Sequence, residues 1–266
     1  MTDTSAATDL WVRRYHPALA PTFRLICFPH AGGSASFYFP VSGALSGTVE
    51  VCAMQYPGRQ DRRNEEPIGT VAAMADELAA ALRPWTDVPF GFFGHSMGAV
   101  LAFETALRLE KDGVSPTMLF ASGRRAPSLC YHESVHELDD DGLVAELKKL
   151  SGTDERVLGD EELMRMVLPA IRSDYKAIET YQCAPGARVS CPITVLTGDS
   201  DPRTTLDDAR AWQEHTEGAF DMAVFPGGHF YLANHQQEIN QRITAHAHTT
   251  TSQRRAAAGP HGSSAG

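Results

Sequence analysis

Gly94-His95-Ser96-Met97-Gly98 takes its meaning from the segments on either side. Before it, Pro89-Phe90-Gly91-Phe92-Phe93 is short, apolar and strand-like. After it, Ala99-Val100-Leu101-Ala102-Phe103-Glu104-Thr105-Ala106-Leu107 has helical character up to a stop near Gly113. The G-x-S-x-G pattern therefore falls at a strand-to-helix turn. Two glycines let the chain turn tightly there and hold a serine hydroxyl at the mouth of a sheet, as in a nucleophile elbow. The first N–H groups of the helix point toward that hydroxyl and favour negative charge beside it. A plain turn with Ser96 as a helix N-cap is the competing explanation.

Outward from this turn, short β-rich runs alternate with helical stretches. Phe23 to Phe28, Val51 to Met54, Phe90 to Phe93, Met118 to Ala121, Ile193 to Leu196 and Met222 to Phe225 read as strands. Their near-continuous apolar character implies burial on both faces, which predicts a mostly parallel sheet covered by helices. Val71 to Leu82 and Ala99 to Glu110 supply crossovers, so the predicted class is α/β with a doubly wound sheet. Residues 122–192 are too many for one crossover and are mostly helical. Leu143 to Leu150 forms one stretch and Glu161 to Tyr181 another, with apolar positions at Leu163, Met166, Val167, Ala170 and Ile171 and a kink or break expected at Pro169. Helices inserted there would form a lid over the carboxyl edge of the sheet, where ligands bind, the alternative being a structural extension packed beside the sheet. Residues 1–248 are expected to form one domain. The tail 249–266, polar and then rich in Ala and Gly, is expected to be disordered.

Composition excludes several classes. The chain has 266 residues, is 42% hydrophobic and carries a formal charge of −10, which disfavours nucleic acid or an anionic membrane as a partner. No apolar run reaches the length of a spanning helix and the polar start lacks a signal-peptide core, so a cytoplasmic protein is expected. Cys27, Cys52, Cys130, Cys183 and Cys191 are odd in number and lack paired metal spacing. Neither a metal site nor an organic cofactor is expected.

If Ser96 is the nucleophile, an acid and then a histidine should follow it in the chain. After the last strand, Pro226-Gly227-Gly228-His229-Phe230 is a glycine-rich loop able to swing an imidazole over the sheet edge, making His229 the candidate base. The acid lies in Leu196-Thr197-Gly198-Asp199-Ser200-Asp201-Pro202. Spacing alone does not separate Asp199 from Asp201, although loop geometry favours Asp201. An oxyanion hole needs two backbone N–H groups. Met97 supplies one, and Phe28-Pro29-His30-Ala31-Gly32-Gly33 has the character of a loop whose Ala31 supplies the other, with His30 shaping the loop.

These segments, with Gln55-Tyr56-Pro57-Gly58-Arg59 and Arg62, together resemble the type II thioesterases of polyketide and nonribosomal peptide synthesis, from about Trp11 to about Ile243. The resemblance implies an α/β-hydrolase fold with a helical lid, Asp201 as the acid, and a role in antibiotic biosynthesis. The implied activity is editing, the hydrolysis of aberrant or stalled acyl groups from phosphopantetheine on acyl or peptidyl carrier domains, by a monomer. Leu143, Leu147, Val167 and Ile171 are then candidates to line or support an acyl chamber. Arg59 and Arg62 are candidate contacts for an anionic carrier, with Arg63, Arg124 and Arg125 also standing out against the acidic chain; taken singly, each reads more simply as an ordinary solvated or structurally paired arginine. A carboxylesterase or lipase-like hydrolase would use the same three residues, and a noncatalytic binding protein would be expected to have lost one.

Overall fold

Each predicted strand joins one sheet in the computed structural model, which describes residues 10–150 and 161–257. The strands are β1 (Val12–Arg13), β2 (Arg24–Phe28), β3 (Glu50–Met54), β4 (Phe90–His95), β5 (Leu119–Ser122), β6 (Ile193–Gly198) and β7 (Phe220–Phe225). Their spatial order is β1-β3-β2-β4-β5-β6-β7. All neighbours pair in parallel except β1, which runs antiparallel to β3. The helices are α1 (Phe39–Leu45), α2 (Val71–Leu82), α3 (Met97–Lys111), α4 (Asp140–Leu150), α5 (Glu161–Glu179), α6 (Leu206–Arg210) and α7 (Gln236–Ala257). Among the described residues, no helix is long and apolar enough to cross a membrane.

Strand alternation divides the interior into two layers. Ile26 and Phe28 of β2 face α2 and α3 through Met74, Leu78, Val100 and Phe103. Leu25 and Cys27 face the other way, toward α1 and α7, through Leu45, Ile239 and Ile243. The central strands are buried on both faces as their composition requires, whereas β7 at the edge alternates, leaving Val224 46% exposed. Thr70 sets the start of α2, its hydroxyl accepting the Ala73 N–H.

α4 and α5 follow β5 and share a separate apolar cluster of Val135, Leu143, Leu147, Met164, Leu168, Ile171 and Tyr175, against which Ala31 and Val167 pack. Two sequence expectations change here. Pro169 lies inside an unbroken α5. The buried stripe is Met164, Leu168, Ile171 and Tyr175, while Leu163 and Met166 are 42% and 55% exposed. Apolar residues are so dense between 163 and 171 that more than one helical stripe fits them.

The expected tail begins too early at 249. α7 continues to Ala257, its Thr249 and Thr251 hydroxyls bonding the carbonyls of Ala245 and Ala247 one turn back and Ala247 buried on the core side. Residues 258–266 lie outside the described part.

α3 reaches the sheet at van der Waals limits. A Cβ on Gly98 would stand 2.0 Å from the Phe28 carbonyl oxygen, and one on Gly94 would stand 2.1 Å from the Gly98 carbonyl oxygen. Both obstacles are backbone, so a rotamer change cannot relieve them. Gly98→Ala is therefore expected to cost about 3 kcal/mol or more in urea unfolding. Gly69→Ala, whose Cβ would make an ordinary 3.5 Å contact with Ser173 Oγ, should stay within about 0.5 kcal/mol of wild type. Equal stability of the two variants would contradict the close approach.

Candidate active site

Ser96 is held where few residues with a side chain go, at φ 55° and ψ −119°, between the end of β4 and the first turn of α3. Such a conformation costs on the order of 1–3 kcal/mol and persists only where the surroundings enforce it. The contacts at Gly94 and Gly98 enforce it from below. From the side, the Ser96 N–H donates to the Ser122 carbonyl at 2.8 Å. The hydroxyl is thereby presented at the carboxyl edge of the sheet, with the Met97 N–H opening the helix beside it.

His229 reaches the same edge from the loop after β7. Its Nδ1 lies 2.9 Å from Asp201 Oδ2 and 3.1 Å from Oδ1, with both side chains buried. Asp201 Oδ1 also accepts the Arg203 N–H at 2.8 Å, which fixes the carboxylate plane. A carboxylate only accepts, so Nδ1 carries the hydrogen and Nε2 is left with a lone pair for a proton. Asp199 does other work. Its exposed Oδ1 accepts the Gly227 N–H at 3.0 Å and the Ser200 hydroxyl at 2.9 Å, tying the turn after β6 to the histidine loop. The Gly227 N–H, with help from Ser200, holds the Asp199 carboxyl below the usual carboxylate range. The two loops meet so closely that a Cβ on Gly198 would stand 2.3 Å from the Gly227 carbonyl oxygen.

Behind this pair runs a buried polar chain that sequence reasoning did not anticipate. His95 Nδ1 is 2.9 Å from Ser122 Oγ, which is 2.7 Å from the Tyr231 hydroxyl. Ser122 thus touches the nucleophile turn through its carbonyl and the histidine loop through its hydroxyl. The His95 ring packs 5.1 Å from that of His229 and 5.9 Å from that of His30. Burial, then the nearby His229 and His30, push the His95 pKa well below its ordinary value. Burial likewise pushes His30 down, to about 3. Both rings are neutral near pH 7, so neither adds positive charge beside His229.

The loop after β2 places Ala31 over the edge as a half-buried residue of a tight turn, in which the Gly33 N–H donates to the His30 carbonyl at 2.8 Å. Gly32 sits at φ 74°, a conformation that favours glycine. Here the expectation for the arginines is corrected. Arg59 is buried and spends its guanidinium on Asp174, at 2.8 and 2.9 Å, and on the Gly33 carbonyl at 3.1 Å. Arg62 is buried as well, bonding Glu65 and the Gln55 carbonyl while stacking 4.3 Å over Trp11. Arg59 braces the 30–33 turn and Arg62 braces its own 55–65 segment, and with both side chains buried neither presents a cation to a partner. Arg125 is also buried and paired with Glu133, whereas Arg63 is exposed. The signal for the brace was Asp174 itself, a charge on the apolar stripe of a helix, which calls for a buried partner. Of the chamber candidates, Leu143, Leu147 and Ile171 are buried in the α4–α5 cluster and Val167 packs against it. Among the described residues, no group of three or more His, Cys, Asp or Glu could hold a metal ion.

A strained serine at a strand-to-helix turn, with a histidine oriented by a buried carboxylate on the neighbouring loops, defines the class as a serine hydrolase of α/β-hydrolase fold. The Thioesterase domain family model matches residues 23–247, and the chain belongs to that family as a serine thioester hydrolase. It is 54% identical over 246 residues to a probable cadicidin biosynthesis thioesterase of Streptomyces griseus, covering 92% of this chain and 67% of that one. It is 50% identical over 250 residues to the thioesterase PikA5 of Streptomyces venezuelae, covering 92% and 89%. Among solved structures, the type II thioesterase BorB from the borrelidin biosynthetic cluster superimposes with a TM-score of 0.85 at 52% identity, covering 90% of this chain and 98% of that one. The resemblance to type II thioesterases therefore stands.

The depressed histidines make stability depend on pH. An unfolded histidine takes up a proton as pH falls below about 6.5, while buried His95 and His30 do not. Their contribution is complete above that value and is lost as pH falls toward the folded values. Each histidine adds a slope of about 1.4 kcal/mol per pH unit in that window. His95→Asn should lower the slope of unfolding free energy between about pH 6 and pH 5 by roughly that amount. Urea titrations at both pH values measure it, and an unchanged slope would show that His95 does not titrate on unfolding.

Proposed function

We propose that this enzyme edits assembly-line synthases, releasing aberrant or stalled acyl groups from phosphopantetheine on acyl or peptidyl carrier domains. The observation that carries this is the buried His229–Asp201 pair on the loops after β7 and β6, at the same edge of the sheet as strained Ser96 after β4, with the α4–α5 cluster packed against Ala31. His229 Nε2 takes the Ser96 proton as Oγ attacks the thioester carbonyl, forming a C–O bond. The Met97 and Ala31 N–H groups stabilise the oxyanion. Its collapse breaks the C–S bond, and His229 returns the proton to the leaving sulfur. Water then gives a proton to His229 and attacks the acyl-serine, releasing the free acid and restoring Ser96.

The chemistry needs neither a metal nor an organic cofactor, and the same view makes the enzyme a cytoplasmic monomer. The relatives named above support the pathway assignment. With Arg59 and Arg62 turned inward, carrier docking by charge would fall on exposed cations such as Arg63 of the same loop.

Variants, labelling and substrate comparison test this. Ser96→Ala should remove hydrolysis of an acyl-carrier thioester, and a fluorophosphonate should label wild type at Ser96 alone. Asp201→Asn should lower kcat by on the order of 10³ to 10⁴, while Asp199→Asn should change it less than about threefold. The reverse ranking, on folded proteins, would move the acid to Asp199. Preference for a simple oxoester over the carrier-bound thioester at matched chain length would make the enzyme a carboxylesterase instead.

A further inference from the structure

We infer that Asp174 on lid helix α5 is a positioning residue for the Ala31 N–H, so that the oxyanion hole is complete only while α5 is docked on the 30–33 turn. This rests on Ala31 and Met97 being the oxyanion donors, as proposed above.

The turn is held at two points by side chains from outside it. The Gly32 N–H donates to Asp174 Oδ2 at 2.8 Å. The Gly33 carbonyl accepts from Arg59 Nη1 at 3.1 Å, and the same nitrogen bonds Asp174 Oδ2 at 2.8 Å while Nη2 bonds Oδ1 at 2.9 Å. Asp174 and Arg59 therefore grip the turn and each other. One helical turn earlier, Ile171 lies so close over Gly32 that a Cβ there would stand 2.8 Å from its Cγ1. Ala31 itself packs against the lid cluster.

Gly32 and Gly33 give the turn little stiffness of its own. At φ 74°, Gly32 sets the tilt of the peptide joining it to Ala31, and glycine permits the flipped alternative at small cost. The bond to Asp174 fixes the Ala31–Gly32 peptide and, together with Arg59 on the Gly33 carbonyl and the packing on Ala31, holds the whole turn in place, including the preceding peptide that carries the Ala31 N–H. Withdrawal of α5 would remove the acceptor of Gly32 and the partner of Arg59 together. Because the pair is buried, half-docked arrangements leave a charge without a partner, so docking is close to all-or-none. The lid would then govern transition-state stabilisation as well as access.

The decisive variants are Asp174→Ala, which removes both bonds, and Asp174→Asn, which keeps an acceptor for Gly32. Active sites are counted by end-point fluorophosphonate labelling of Ser96, and kcat is expressed per labelled site. The expected result is a fall in kcat of about 10² to 10³ for Asp174→Ala, the range for loss of one oxyanion donor, and a smaller fall for Asp174→Asn. KM should stay within about threefold, and the phosphonylation rate constant should fall in parallel, since that reaction also develops charge on an oxygen in the hole. The pH at half-maximal kcat/KM should not move, because His229 and Asp201 are untouched. A rise in KM with unchanged kcat would make α5 a substrate-binding element only, and a moved pH profile would place Asp174 in the service of His229. Either result, or no change, overturns the inference. If Asp174→Ala does not fold, Ile171→Ala, which keeps the ion pair, should show the same signature more weakly, and a loss confined to KM would again overturn it. Turnover by Ser96→Ala would be a different failure, that of the catalytic assignment itself.

Discussion

A single backbone conformation, Ser96 at φ 55°, is the constraint on which the rest of the site depends. It is unfavourable alone and exists because α3, β2 and β4 approach closely enough to forbid the alternatives. That approach explains Gly94 and Gly98, whose missing side chains are filled by carbonyl groups of Gly98 and Phe28. It also explains why β4 lies near the middle of the sheet, where strands on both sides can hold its end.

The second requirement is dry polar chemistry with every charge answered. His229 meets Asp201, Arg59 meets Asp174, and Asp201 takes a backbone N–H besides. In a low-dielectric interior such pairs fix geometry because an unanswered charge is costly. Neutral His95 and His30 complete the arrangement, filling space beside His229 with aromatic rings and keeping cations away from it.

The sheet was legible in the sequence because strands buried on both faces leave uninterrupted apolar runs, and α2 because its apolar spacing is helical from Val71 to Leu82. β1 left no such trace, since two residues carry no period. The face of α5 was misread where apolar residues crowd between 163 and 171. Chain order pointed to Ser96, an acid and His229, and loop geometry favoured Asp201, whereas spacing alone left Asp199 open because both follow β6 within one short turn. Whether Arg59 meets a carrier or a structural partner was open in the sequence for a comparable reason. Its partner stands 115 residues away on a helix whose docking the local sequence does not encode.

The α4–α5 excursion has a topological property with evolutionary reach. β5 and β6 are adjacent and paired, Leu119 opposite Ile193 through Ser122 opposite Leu196, so the chain leaves and re-enters the sheet at neighbouring positions. The sheet closes its hydrogen bonds without the excursion. Closure entropy grows only logarithmically with length, about 0.6 kcal/mol for each doubling, so insertions and deletions between these strands burden the scaffold little. The excursion can therefore vary while the sheet stays fixed, and a replacement helix without a carboxylate at the place of Asp174 would leave the Gly32 N–H and the Arg59 guanidinium without the partner they share here.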